Sequence, residues 1–377
     1  MELIPVALLA RPMTGGMKKH ILQLLIGLDE RFIIHLLGSE DLTGEVPHRP
    51  IKYFPVYLKE SLNPLDKAHQ IMQLGRYLRQ NKIRLLHCHG VQAALVGRIA
   101  ATMAHTPVVC TYHNLVYDRP YAPWKKKIFT AGNRLLNRKT DYVITVSQAL
   151  KQQLIAHEGI EDQKIRVIYN GLERSIFAQA ASLEKQSGNT SRPLIGMVGR
   201  LVPEKGVDLF LEAIPLILAA KPKAKTWIIG DGPNQEKLTR ISQKLGLTGK
   251  VKFWGHVPNP LDLIRSLDVV VVPSRSEGLS IVTLEAMAQA KPVVAFDAGA
   301  LPEVVVHEVT GLLVPSFDVA ALAHAILRLL NDDNLRVSLG NNGYARAEEY
   351  FSAEKMIEET ETVYYKVLGT PFSALEG

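Results

Sequence analysis

Short β-branched runs alternate with helical stretches of about ten to twenty residues along almost all of this 377-residue chain. That alternation restricts it to parallel sheets built from βαβ units. The pattern occurs twice. In the first half, strands are expected at VALLA (6–10), IIHLLG (33–38), IRLLHCH (83–89), PVVCTYH (107–113), YVITVS (142–147) and IRVIYN (165–170). In the second they are expected at LIGMVG (194–199), TWIIG (226–230), VKFWG (251–255), VVVVP (269–273), PVVAF (292–296) and GLLV (311–314). Between the two sets, QAASLEKQSGNTSRP (179–193) is polar, weakly periodic and rich in small residues, the composition of a surface linker. Two doubly wound α/β domains are therefore expected, 1–178 and 194–350, followed by a helical stretch, 351–377, with no further strand to cover.

With 47% hydrophobic and 21% charged residues, both halves can bury a full core. No apolar run approaches the roughly 18–20 residues that span a bilayer. The N-terminus, MELIPVALLARPM, has no basic region ahead of its short apolar stretch, so neither secretion nor a membrane span is expected, and the location is expected to be cytoplasmic. Cys88 and Cys110 fall inside expected strands without metal-ligand spacing, which suits buried packing in a reducing compartment. The net charge of +7 is uneven: residues 1–170 hold 23 Lys and Arg against 13 Asp and Glu, and residues 171–377 hold 21 against 24. The first half should attract anions. No basic stripe interleaved with aromatics appears, so a phosphorylated metabolite or an anionic lipid surface is expected rather than nucleic acid.

Parallel sheets bind ligands beyond the carboxyl ends of their strands, so those positions carry the functional reading. After VALLA, Gly15 and Gly16 open a helix in RPMTGGMKKH, either as an anion cradle of bare amides or as a tight turn. The spacing is not GxGxxG, which counts against a nicotinamide enzyme. After LIGMVG, Arg200 and Lys205 in RLVPEKG are two cations that could converge on a diphosphate, although alone they could equally be solvated surface. Gly230 and Gly232 follow TWIIG, for a close backbone approach or a simple turn.

The stretch SRSEGLSIVTLEAMAQAKPVV sets two carboxylates eight positions apart. Ser280 can cap a helix running to about residue 290, which puts Glu277 and Gly278 in the preceding turn and Glu285 inside the helix. A carboxylate such as Glu285 can accept two hydrogen bonds from a vicinal diol, and the amides of Leu279, Ser280 and Ile281 add the positive end of the helix dipole for phosphate.

The runs GRLVPEKGVDLFLEA, IIGDGP and SEGLSIVTLEAMAQAKPVVAFDAGALPEVV resemble the donor-binding half of glycosyltransferase family 4, the retaining, glycogen-synthase-like enzymes of GT-B architecture. The Glu-x7-Glu spacing of Glu277 and Glu285 matches, and the resemblance continues in the first half through TGGMKKH, TYHN, TVSQALKQQL and VIYNGLERSIF. It implies two Rossmann-like domains facing a cleft, with a C-terminal helix that crosses back to the first domain. It further implies that Arg200 and Lys205 bind the diphosphate of a nucleotide sugar, that Glu277 holds sugar hydroxyls and that Glu285 holds the ribose. His113 matches the family histidine near the transferred sugar's anomeric carbon, and Gly15 and Gly16 match the glycine loop above it. In DAGALPE the family usually has two adjacent glycines where this chain has Gly299 and Ala300.

His87 and His89 resemble a metal pair, but no third ligand is evident from the sequence, and no Asp-x-Asp follows a strand. No metal and no cofactor are expected beyond the nucleotide-sugar substrate, with UDP ahead of GDP as its base carrier. The reaction implied by the resemblance is front-face transfer to a sugar or lipid-linked acceptor in cell-envelope polysaccharide, lipopolysaccharide or glycolipid synthesis. A nucleotide-sugar epimerase or hydrolase, or a non-catalytic nucleotide-sugar binder, would share the donor half. Residues 124–139, WKKKIFTAGNRLLNRK, place Trp124, Ile128, Ala131 and Leu135 on one helical face and carry Lys125, Lys126, Lys127, Arg134, Arg138 and Lys139 without an acid. That helix either packs on its own domain or docks on an anionic membrane surface.

Overall fold

Strands buried on both faces read as unbroken apolar runs, and the helices between them bury one stripe each, so the observed elements follow the sequence closely. A computed structural model of the chain describes residues 3–12, 15–38, 42–46, 48–58, 64–114, 123–181 and 192–369. The chain divides into two compact units, residues 1–170 with 353–377, and residues 171–352.

The first unit runs β1 (Ile4–Ala10), α1 (Gly16–Gly27), β2 (Phe32–Gly38), β3 (Lys52–Pro55), α2 (Pro64–Gln80), β4 (Leu85–His89), α3 (Val91–Ala104), β5 (Val108–Tyr112), α4 (Pro123–Asn137), β6 (Tyr142–Thr145), α5 (Gln148–Glu158) and β7 (Ile165–Val167). Its seven strands lie in the order β3-β2-β1-β4-β5-β6-β7, all pairs parallel. The strand order reverses between β1 and β4, so the carboxyl ends of those two strands flank the switch point. β3 is not legible as a strand in the sequence. It has four residues, carries an exposed lysine and ends at Pro55, features tolerated because it is the sheet's edge.

The second unit runs α6 (Arg174–Ala181), β8 (Leu194–Val198), α7 (Val207–Ala220), β9 (Lys225–Ile229), α8 (Gln235–Lys244), β10 (Val251–Gly255), α9 (Leu261–Arg265), β11 (Val269–Val272), α10 (Ile281–Ala288), β12 (Val293–Phe296), α11 (Leu301–Val304), β13 (Gly311–Val314), α12 (Val319–Asn331) and α13 (Asp333–Tyr350). Its parallel sheet has the order β10-β9-β8-β11-β12-β13, with the switch point between β8 and β11. The chain passes between the units at Asn170 and Gly171, so α6 belongs with the second. Of the expected linker, residues 182–191 lie outside the described residues.

The final helix, α14 (Ala353–Leu368), belongs to the first unit. Met356, Val363, Tyr364 and Tyr365 are buried in one apolar cluster with Leu24, Leu28 and Phe32. The Tyr364 ring stands edge-on to Phe32 at 5.6 Å, and Glu361 Oε1 accepts a hydrogen bond from the Asp29 amide at 2.6 Å. This is the returning C-terminal helix that the resemblance implied. Cys88 and Cys110 are buried and free, facing each other across β4 and β5.

Candidate functional site

In the second unit, the expected donor residues gather where β8 and β11 end. The turn after β11 puts Glu277, buried to 7% exposure, opposite the turn after β8, which carries Lys205. Lys205 Nζ donates to Glu277 Oε1 at 2.5 Å, and Ser274 Oγ donates to the same oxygen at 2.7 Å. Both bonds fall on Oε1 of Glu277, and among the described residues none falls on Oε2. Arg200, the first residue past the Gly199 turn, is exposed. Ser280 is the N-cap of α10, its hydroxyl accepting from the Thr283 amide at 3.3 Å, which leaves the first amides of that helix without intrahelical acceptors. Gly278 and Leu279 complete the turn, Ile281 opens the helix, and Glu285 is buried one turn further on at 1% exposure.

Three contacts hold these turns in place. Arg275 reaches α7 through two hydrogen bonds to the Asp208 carboxylate, both 2.8 Å, and a third at 2.6 Å to the Pro203 carbonyl. Burial favours the protonated form of Asp208, but the hydrogen bonds from Arg275 outweigh it and hold the carboxyl below its usual pKa. Gly206 has φ +64°, and a Cβ there would sit 1.8 Å from the Pro273 carbonyl oxygen, so only glycine lets the two turns meet. Ala300 donates its amide to the Glu277 carbonyl at 3.0 Å. Its φ is −91°, and the left-handed position in that loop is Gly299 at +55°, so alanine fits where the family usually has a second glycine. Gly230 and Gly232 approach the backbone of Gly199 and Leu201, which accounts for both without a ligand.

In the first unit, Gly15 has φ +66° and ψ −138° at the N-cap of α1, with nothing within 4 Å of where a Cβ would be. Gly16 begins the helix, while Met13 and Thr14 lie outside the described residues. His113 is the first residue beyond β5 and is buried. It belongs to a group the sequence did not reveal. His20, one turn into α1, His89, at the end of β4, and His113 each offer a ring nitrogen within 4.8 Å of the other two. His89 Nδ1 and His113 Nε2 are 3.4 Å apart, and the His20 ring stands edge-on to His113 at 4.8 Å. Asn170 Oδ1 accepts from His20 Nδ1 at 2.9 Å, which fixes the proton on Nδ1 and leaves a lone pair on Nε2. The Nε2 atoms of His20 and His89 are buried with no hydrogen-bond partner among the described residues.

Burial lowers the pKa of His20 to about 4, against the raising effect of Asn170, and pushes His89 and His113 well below the ordinary histidine value. All three rings are neutral at neutral pH. His87 is different. Its Nδ1 contacts the Tyr364 hydroxyl and its Nε2 the Thr111 hydroxyl, both at 2.6 Å, so it ties α14 to the sheet and has no nitrogen to offer. The neighbours that His89 gathers are therefore not His87 of HCHG but His20 from α1 and His113 from beyond β5. The one sequence signal was His20 itself, a turn beyond the glycine pair in TGGMKKH.

Helix α4 departs from the expected apolar stripe. Trp124 and Leu135 are 61% and 65% exposed, and Ala131 is exposed as well. The helix is held to α5 by polar contacts instead, with Asn133 and Asn137 donating to the two oxygens of the buried Glu158 at 3.0 and 2.9 Å. Lys127, Arg134, Arg138 and Lys139 are exposed, whereas the side chains of Lys125, Lys126 and Ile128 lie outside the described residues. Among the described residues, no helix is long and apolar enough to cross a membrane.

Comparison with known proteins covers both units. The family of glycosyl transferases group 1 matches residues 179–346, and Glycosyltransferase Family 4 matches residues 14–175. An uncharacterised glycosyltransferase of Methanocaldococcus jannaschii is 32% identical over 84% of this chain and 83% of its own length. The capsular polysaccharide biosynthesis glycosyltransferase CapM of Staphylococcus aureus is 28% identical over 88% of this chain and 89% of its own. Among solved structures, a glycosyltransferase of Rickettsia africae superposes with a TM-score of 0.82 at 18% identity, covering 98% of this chain and 100% of that one. HepE of Anabaena, solved in complex with UDP-glucose, gives 0.80 at 24% identity, covering 96% and 99%.

Proposed function

The chain belongs to glycosyltransferase family 4, and from that premise we propose that it is a retaining enzyme that moves a sugar from a nucleoside diphosphate sugar to an acceptor hydroxyl. The observation that carries this reading is the junction of Lys205, Glu277 and Ser274 beside the capped start of α10, at the switch point of the second sheet. A cation, a carboxylate with an unused oxygen and a helix N-terminus there match the three parts of a nucleotide sugar: diphosphate, sugar hydroxyls and the charge that develops on leaving. Arg200 and Lys205 bind the diphosphate, Glu277 Oε2 accepts from sugar hydroxyls and Glu285 accepts from the ribose diol. The resemblance assigns His113 to the transferred sugar and Gly15 and Gly16 to the loop above it.

In the reaction, the bond between C1 and the diphosphate oxygen breaks while the acceptor oxygen bonds C1 from the same face. The acceptor proton passes to the leaving diphosphate. Arg200, Lys205 and the amides of Leu279, Ser280 and Ile281 meet the charge on that group, so no divalent metal is needed for its departure. A double displacement would require a second carboxylate about 5 Å from the first at the anomeric carbon. Glu277 is instead held by Lys205 and Ser274, an arrangement that suits orienting sugar hydroxyls rather than attacking C1.

HepE was solved with UDP-glucose, which supports a UDP-sugar donor here, and CapM's part in capsular polysaccharide supports a cell-envelope product. The exposed Trp124 and Leu135 among the cations of α4 support docking on an anionic membrane that presents a lipid-linked acceptor. The test is a thermal-shift panel of uridine, guanosine and adenosine diphosphate sugars, followed by nucleotide release with and without acceptor. A UDP-sugar should raise the melting temperature most, and release should depend on acceptor. Release or sugar inversion without acceptor would favour a hydrolase or epimerase, and a shift without turnover a binding protein.

A further inference from the structure

The three clustered histidines are more than a sugar contact requires. His20 comes from α1, His89 from the end of β4 and His113 from beyond β5, so the topology brings three imidazoles together at the carboxyl ends of the strands beside the first switch point. Buried polar atoms are nearly always hydrogen-bonded, yet His20 Nε2 has no partner among the described residues. Asn170 holds His20 with its proton on Nδ1 and its lone pair toward the group, the arrangement by which a carbonyl oxygen orients a metal-ligating imidazole.

We propose that His20, His89 and His113 form a binding site for a borderline divalent cation, zinc above all, with one coordination position left open. Three neutral imidazoles without a carboxylate suit zinc, cobalt, nickel or copper and offer nothing to magnesium or calcium, which prefer oxygen. Three protein ligands and an open fourth position are the pattern of zinc sites that exchange a small ligand. A tetrahedral zinc ion at about 2.0–2.1 Å from each nitrogen sets those atoms about 3.3 Å apart. His89 Nδ1 and His113 Nε2 are already 3.4 Å apart, in a long hydrogen bond that ligation by these two atoms would replace. The widest separation, up to 4.8 Å, closes by rotation of rings about their Cβ–Cγ bonds, a soft torsion for histidine. His87 takes no part, since both of its nitrogens are engaged.

Occupancy has a consequence that rests on the proposed function. A cation on His113 removes that ring from the transferred sugar, so zinc antagonises transfer and the metal-free protein is the active one.

Binding is tested first, in tag-free protein without sugar donor or acceptor, so its failure is separate from any failure of the glycosyltransferase reading. Equilibrium dialysis with zinc should give one tight ion per chain and none with magnesium. His20→Gln and His89→Gln should each weaken zinc at least about tenfold, and Asn170→Ala by about 10–100-fold as a residue that only orients a ligand. His324→Ala, at an exposed position on α12, should change nothing. Should a variant fail to fold, cobalt added to the native protein gives an independent reading. Intense visible absorption of four-coordinate cobalt, erased by zinc, is expected. No tight zinc in the native protein, or equal uptake by folded His20→Gln and His89→Gln, would overturn the site. Zinc should then lower the rate of transfer in the native protein but not in His20→Gln, each compared with its own metal-free rate. Tight zinc without loss of rate would overturn the antagonism.

Discussion

Replacing Lys205 by alanine removes one of two cations assigned to the diphosphate and also one of the two hydrogen-bond donors on Glu277 Oε1. The two losses are read separately. Losing one preorganised donor to a developing negative charge costs about 10²–10³ in rate, or about 2.7–4 kcal/mol. The stability loss follows from the pairing. The Glu277 side chain is 8% exposed and that of Lys205 27%, so this is a partly desolvated ion pair rather than a surface one. A hydrogen bond to a charged group contributes about 1.5–3 kcal/mol, and Ser274 still satisfies the carboxylate after the change, which sets the expected loss near 2 kcal/mol. Arg200→Ala is the matched control, because its guanidinium is exposed. It should lower kcat/KM by about 10² while changing stability by no more than about 0.5 kcal/mol. Steady-state kinetics against donor concentration and urea unfolding of both variants measure the four quantities. Near-normal turnover in Lys205→Ala would refute the diphosphate assignment, and an unchanged unfolding midpoint would refute the ion pair.

Gly206→Ala forces a left-handed alanine, at about 1–2 kcal/mol, and a collision with the Pro273 carbonyl. The turns after β8 and β11 must separate, so the KM for donor should rise at least about tenfold in kinetics on the folded variant. The buried histidines make the first unit acid-sensitive. A histidine whose folded pKa lies below its unfolded value contributes stability that is present above about pH 6.5 and is lost as pH falls toward the folded pKa. For His20, with its pKa near 4, the loss is about 1.4 kcal/mol per pH unit between those limits. Urea unfolding at pH 7, 6 and 5 should show that decline, and a His20→Gln variant should show a shallower one. A chelator should leave transfer intact, because in the proposed reaction side-chain cations and amides meet the leaving diphosphate. Collapse of activity in chelator with recovery in manganese would contradict this. Vesicles containing anionic lipid should pellet the native protein in a salt-sensitive way and a Lys125→Glu, Lys126→Glu, Lys127→Glu variant much less. Equal pelleting would favour a soluble acceptor.

The elements that carry the proposed donor residues were legible because they are local. Ser280, Glu277 and Glu285 lie within one turn-and-helix unit, and the apolar runs before Arg200 and Ser274 fix both as strand-end positions. The contact between Lys205 and Glu277 was not, since the residues are 72 positions apart and meet only because β8 and β11 are neighbours across the switch point. The histidine cluster hid for the same reason. His20 sits on a helix, His89 and His113 at the ends of paired strands, and Asn170 comes from beyond the last strand of the sheet. For helix α4 the sequence left packing and membrane docking both open, because nothing local shows that Asn133 and Asn137 find a buried acceptor in Glu158 while Trp124 and Leu135 face solvent. β3 was missed because an edge strand of four residues ending in proline leaves no apolar run.

A nucleoside diphosphate is expected to bind at the start of α10 with Arg200 and Lys205 as its cations. Calorimetric titration of uridine diphosphate into the native protein and into an Arg200→Ala, Lys205→Ala double variant tests it most directly. One site per chain, weakened by roughly 10²-fold or more in the double variant, is the predicted result. Equal affinity in the two proteins would mean that the nucleotide binds elsewhere.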